Sequence, residues 1–89
     1  MKLKDNFVLR QVAGSWIVMP LGDESEKLGG MLTLSESGAI LWNALAQGGD
    51  LNALTAALTA EYAVSEEKAR ADAEKFVEKL TQLGCIDAD

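Results

Sequence analysis

The ten residues Gly29-Gly30-Met31-Leu32-Thr33-Leu34-Ser35-Glu36-Ser37-Gly38 change the hydrophobic period of the chain, and this constrains its fold more than any other stretch. Upstream, apolar residues come in short β-branched and aromatic runs. Downstream, they recur at helical spacing. Met31 to Leu34 reads as a short apolar strand, and Ser35 as a helix N-cap whose hydroxyl accepts from an orphan amide of the next turn. Glu36 sits at the positive end of the helix dipole. Gly38, Leu41, Trp42 and Leu45 then follow at i, i+3, i+4 and i+7, one stripe of a first helix.

Before this boundary, Phe7 to Val12 and Trp16 to Met19 read as two strands, with Ala13-Gly14-Ser15 as a three-residue connection carrying a glycine. Along the first strand Phe7, Leu9 and Gln11 share one face while Val8, Arg10 and Val12 share the other. Neither strand alternates cleanly between apolar and polar residues, so both faces of the hairpin are expected to be partly covered. Pro20 removes a ladder donor, which either ends the second strand or marks it as an edge. From Leu21 to Gly30 the sequence turns to Gly, Asp, Glu, Ser and Lys and reads as a solvated loop. Within it, Ser25 follows an acidic pair but precedes Glu26 and starts no helix, which argues against the modified serine of an acyl carrier protein.

After the boundary, Gly48-Gly49 ends the first helix and Asp50 caps a second, in which Leu51, Leu54, Leu58 and Tyr62 form the apolar stripe. Ser65, followed by Glu66 and Glu67, opens a third and longest helix that closes at Gly84. Its stripe is Ala69, Ala73, Phe76, Val77, Leu80 and Leu83. Lys68, Asp72, Lys75 and Lys79 lie on one flank of that stripe; Arg70, Glu74 and Thr81 lie on the other. Three strands followed by three helices make an α+β fold, in which a three-stranded antiparallel sheet precedes a winged helix-turn-helix-like set of helices. At 89 residues the chain is expected to form a single domain spanning 1–89.

Composition narrows the chemistry. The sequence contains no histidine and one cysteine, Cys85, so the usual zinc and transition-metal ligands are missing and no intramolecular disulfide can form. Cys85 reads as a small buried hydrophobe. Neither glycine pair has the spacing of a phosphate loop, and no nucleophile has a histidine beside it. These features point to a non-catalytic binding module with no cofactor and no metal. The net charge of −6 disfavours nucleic acid and anionic lipid as partners. The basic residues of the third helix are interleaved with Glu66, Glu67, Asp72, Glu74 and Glu78, which leaves no basic face for DNA. No signal peptide or membrane-spanning apolar run is evident, and the expected location is cytoplasmic. What remains is peptide or protein recognition at the exposed edge of the third strand, by addition of a further strand. A dimerising domain that pairs through the same edge is the alternative, alongside a winged-helix DNA-binding one.

Three segments carry a family resemblance. Asn6-Phe7-Val8-Leu9-Arg10 is similar to the opening strand of the PqqD family. Gly30-Met31-Leu32-Thr33-Leu34-Ser35-Glu36-Ser37-Gly38-Ala39-Ile40-Leu41-Trp42 resembles its strand and following "L-N-E-T-G-x-x-x-W" run, with Ser35 and Ser37 in place of Asn and Thr. Arg70 to Leu80 resembles its "D-x-x-x-F-x-x-x-L" helix. The order and spacing of these segments, from about Asp5 to Ile86, carry the resemblance rather than any one motif. The resemblance implies a RiPP recognition element. Such a protein binds the leader segment of a ribosomally made precursor peptide and presents it to a modifying enzyme, often a radical S-adenosylmethionine enzyme. It implies main-chain pairing by Gly30, Met31, Leu32, Thr33 and Leu34, and side-chain contacts from Lys68, Ala69, Asp72, Lys75, Phe76 and Lys79. Small Ala69 and Ala73 would leave room for apolar leader side chains, while Lys75 and Lys79 would attract acidic ones. A monomer or a strand-exchanged homodimer is expected.

Overall fold

A computed structural model of the chain describes residues 2–4, 7–21 and 32–87. Strand β1 (Lys2–Leu3) is followed by β2 (Phe7–Val12), β3 (Ser15–Pro20) and β4 (Leu32–Leu34). Helices α1 (Glu36–Ala46), α2 (Leu51–Glu61) and α3 (Glu66–Gln82) come next, and β5 (Ile86–Asp87) ends the described chain. The main sheet is antiparallel in the order β2-β3-β4. The expected α+β arrangement of three strands and then three helices is therefore present. Most of the solvated stretch expected between Leu21 and Gly30, with Ser25 in it, lies outside the described residues, as do Asn6, Gly30 and Met31.

One reading of the hairpin needs correction. The connection is two residues long rather than three, because Ser15 already pairs with Val12. Ala13 and Gly14 adopt φ of 51° and 83°. Positive φ at both central positions matches the right-handed twist of the flanking strands, which is why a two-residue turn wins here despite the strain at alanine. Pro20 is the last residue of β3 and lies opposite Phe7. Since β3 is the central strand, Pro20 ends it and does not mark an edge.

All three helix starts are capped by the residues that the sequence offers. Ser35 Oγ accepts from the Gly38 amide at 3.2 Å, Asp50 Oδ1 from Ala53 at 2.9 Å and Ser65 Oγ from Lys68 at 3.1 Å. The Gly48-Gly49 pair does two different things. Gly48 takes φ 88°, which an L side chain resists. A Cβ on Gly49 would lie 2.8 Å from the Ala44 carbonyl oxygen that its own amide bonds, so only glycine fits.

The helical stripes and the inner sheet face share one core. Val18, Leu54, Ala69, Ala73, Leu80 and Cys85 are fully buried, and Phe7 meets Trp42 edge-to-face with centroids 6.4 Å apart. Buried Thr55 is satisfied by donating to the Leu51 carbonyl oxygen at 2.8 Å. A feature that sequence reasoning missed joins the two ends of the chain. Strand β1 pairs with β5 through Lys2↔Asp87 and Leu3↔Ile86, and the Lys4 amide donates to the Cys85 carbonyl at 3.0 Å. This places Leu3 and Ile86 in the core. No helix among the described residues is long and apolar enough to cross a membrane.

Ala13→Asn should raise unfolding free energy by about 1 kcal/mol, because asparagine tolerates the left-handed conformation that alanine resists. Gly49→Ala should lower it by about 1–3 kcal/mol through overpacking against the Ala44 carbonyl. Urea denaturation of the two variants beside the parent checks both signs.

Candidate peptide-binding site

The sheet register decides which backbone groups are left over. A two-residue hairpin closes on a hydrogen-bonded pair, here Val12↔Ser15. Alternation along β3 then directs the backbone groups of Ser15, Ile17 and Met19 to β2, and those of Trp16 and Val18 to β4. Their partners Leu34 and Leu32 are thus bonded inward, while Thr33, opposite Ile17, turns its N–H and C=O away from the sheet. Thr33 is solvent-exposed, and β4 has no outer partner among the described residues. An edge of this kind accepts an added strand.

Where β4 ends, a cleft of about 560 Å³ opens between the three helices. The first turn of α1, from Ser35 to Gly38, forms one lip. Leu41, Leu58, Tyr62, Val64 and Phe76 give it an apolar lining, and Asp72, Lys75 and Lys79 of α3 complete the opposite wall. Gly38 sets how closely α1 sits on β4. A Cβ there would lie 3.3 Å from Leu34 Cβ, so the absence of a side chain lets α1 sit close against β4, while Phe76 Cε1, at 3.5 Å, would be in ordinary contact. A second depression, of about 640 Å³, includes Trp16, Thr33, Leu34, Ala39 and Ile40. Ser35 and Glu36 line both, and α1 stands between them: Ala39, Ile40 and Asn43 line the depression, whereas Gly38 and Leu41 line the cleft.

The residues implied by the resemblance fall into distinct settings. Asp72, Lys75, Phe76 and Lys79 come together in the cleft. Lys68 stands outside it, in an exposed ion pair with Asp72 at 3.5 Å whose contribution is small. Ala69 and Ala73 are fully buried beneath α3, where their small size lets that helix pack closely rather than opening space at the surface. Leu32 and Leu34 turn side chains toward the core, and Thr33 carries the outward backbone groups. Gly30 and Met31 lie outside the described residues. Sequence reasoning missed Ser35, Glu36, Ser37, Gly38, Leu41, Leu58, Tyr62 and Val64 as cleft residues. Leu41, Leu58 and Tyr62 are legible as helix-stripe residues, but helical spacing does not separate a core position from one at the mouth of a cleft.

The charges on the rim are unequally matched. Asp72 is engaged by Lys68, whereas Lys75 and Lys79 make no ion pair among the described residues. Partial burial, and then the Glu36 carboxylate beside it, raise the Tyr62 hydroxyl above the ordinary phenol value of 10.0. Because the folded state favours the neutral phenol, this stabilisation is complete below the unfolded value and is lost as pH rises through the folded one. Tyr62 is the only tyrosine, so absorbance titration reports it alone. Its midpoint should lie above 10.0, and Glu36→Gln should move it part of the way back, burial remaining the larger cause.

The PqqD family model, described as coenzyme PQQ synthesis protein D, matches residues 15–86. No curated protein matches the sequence significantly. Among solved structures, TbiB1 in complex with the TbiA(beta) leader peptide superposes with a TM-score of 0.81 at 21% identity, over 100% of this chain and 98% of that one. A lasso peptide synthetase B1 complexed with the leader peptide gives 0.75 at 22% identity, over 93% and 92% of the two chains. These likenesses establish a shared fold, and with the family match over most of the sequence, the chain belongs to the PqqD family.

Proposed function

We propose that this protein is a non-catalytic RiPP recognition element: it binds the leader of a ribosomally made precursor peptide and presents it to a modifying enzyme. A radical S-adenosylmethionine enzyme is the class of partner the family suggests. The observation that carries this reading is the outward N–H and C=O of Thr33 on the outer edge of β4, a strand that ends at Ser35 on the lip of an apolar cleft walled by α3. An extended peptide would gain main-chain hydrogen bonds at the edge and side-chain selection in the cleft. The family match and the leader-bound structural relatives support this assignment.

The rim favours an acidic side chain next to an apolar one. Leu41, Leu58, Tyr62 and Phe76 offer apolar area, and Lys75 and Lys79 offer the unmatched positive charge of an otherwise acidic protein. Charge complementarity of this kind sets partner choice and encounter rate more than affinity. DNA binding gains nothing from the structure: α3 would be the recognition helix, and its Lys68 is neutralised by Asp72 one turn away. The chain is read as one peptide-binding domain over residues 1–89, cytoplasmic and acting as a monomer or a strand-exchanged dimer.

Thr33→Pro separates binding from folding. Its missing N–H is the one that faces away from β3, so the β3–β4 ladder stays intact while the bond offered to a leader is lost. Titrating the leader of the precursor encoded beside this gene into labelled protein should shift amide signals at Thr33, Leu34 and α3. The proline variant should remain folded and bind at least several-fold more weakly. Ser35→Ala should instead lower stability by about 1 kcal/mol with little effect on affinity. A folded proline variant with unchanged affinity would place peptide recognition elsewhere.

A further inference from the structure

The outer face of the main sheet meets the peptide site only at Thr33, which pairs with Ile17, and at Ser15, which lines the depression beside it. Cross-strand register puts Val8 opposite Met19, Arg10 opposite Ile17 and Val12 opposite Ser15, all on the face away from the helices. Val8, Ile17 and Met19 are partly buried, yet none belongs to the core or packs against it. Val12 is 51% exposed and Leu21, directly after β3, is 49% exposed; these are the exposed large hydrophobic residues of the described chain. Among the described residues the face carries one charge, that of Arg10, which makes no ion pair with any of them. No acidic side chain of the described strands shares it, although the whole chain contains 14 acidic residues.

We infer that this outer face is a second docking surface, whose occupant is a protein with an apolar contact area and a carboxylate that meets Arg10. The inference rests on the leader-binding reading, in which that protein is the peptide-modifying enzyme. An apolar patch with a charged residue in it is a protein-interaction feature when it is contiguous and exposed. Its polarity selects the occupant. A second copy docked face to face about the middle of the patch would bring Arg10 against Arg10, and the net charge of −6 repels an anionic membrane. An acidic spot on a neutral-to-apolar protein surface satisfies both the aliphatic residues and the guanidinium. Strands β2 and β4 are separated by β3, so the enzyme and the leader can be held at the same time, one on the outer face and one at the β4 edge.

Arg10→Glu and Val12→Asp change exposed side chains outside the core and should fold normally. Each variant is titrated in parallel with the leader peptide and with the purified modifying enzyme encoded beside the gene. The expected result is parent-like leader affinity with enzyme affinity weakened about tenfold or more, and partial retention in Arg10→Lys. Unchanged enzyme affinity with leader binding intact would overturn the inference. So would a parent dimer that both variants convert to monomer in sedimentation, which assigns the face to a second copy. Binding of the parent to phosphatidylglycerol vesicles that the variants lose would also overturn it, in favour of a membrane. A parent that fails to bind any leader removes the functional reading itself, and is recognised in the leader titration alone.

Discussion

The pairing of β3 on both sides is the constraint on which the rest of the structure depends. Once the tight turn at Ala13 and Gly14 fixes Val12 opposite Ser15, alternation assigns every backbone group of β3 to one neighbour or the other. Val18, at the centre, is fully buried with Leu9 on one side and Leu32 on the other. The outward backbone groups of Thr33 are a consequence of that register. A one-residue slip would turn them inward and also carry Leu32 and Leu34 from the core face to the outer face.

Helix packing then decides what lies beside the edge. The three helix starts are fixed locally, by Ser35, Asp50 and Ser65, but their mutual closeness depends on small residues. Ala69 and Ala73 allow α3 to sit tightly on the core, Gly49 keeps the α1–α2 turn compact, and Gly38 lets the first turn of α1 approach Leu34. The cleft is thus formed at a place where close packing of helices stops, with apolar stripe residues left at its mouth. The proposed binding cleft is built from core-forming sequence patterns.

Much of this is legible in the amino-acid sequence alone. The strand Phe7–Val12 follows from its β-branched and aromatic residues and the stripes of all three helices from period, and the helix caps follow from one hydroxyl or carboxylate placed before each stripe. The turn differs from its sequence reading by one residue because local sequence favours glycine at positive φ but does not reveal that alanine is forced into it by strand pairing. The β1–β5 pair has no sequence signal, since two-residue strands have no period and their pairing joins residues at opposite ends of the chain. In the site, Phe76 and its flanking Lys75 and Lys79 are indicated by family resemblance and brought together by the fold, while Tyr62 and Glu36 join them only because α1 and α2 converge.

The sequence by itself determined the order of the main-sheet strands and the three helices, the helix starts and the lack of histidine-based chemistry, because these depend on residue identity and on contacts within a few positions. The tertiary structure decided which edge of the sheet is open, which stripe residues reach a cleft, and that the outer sheet face keeps Val12 and Arg10 in solvent. Those outcomes depend on register and on the distance between helices. Both are set by pairings between residues far apart in the chain, and a local pattern carries no record of them.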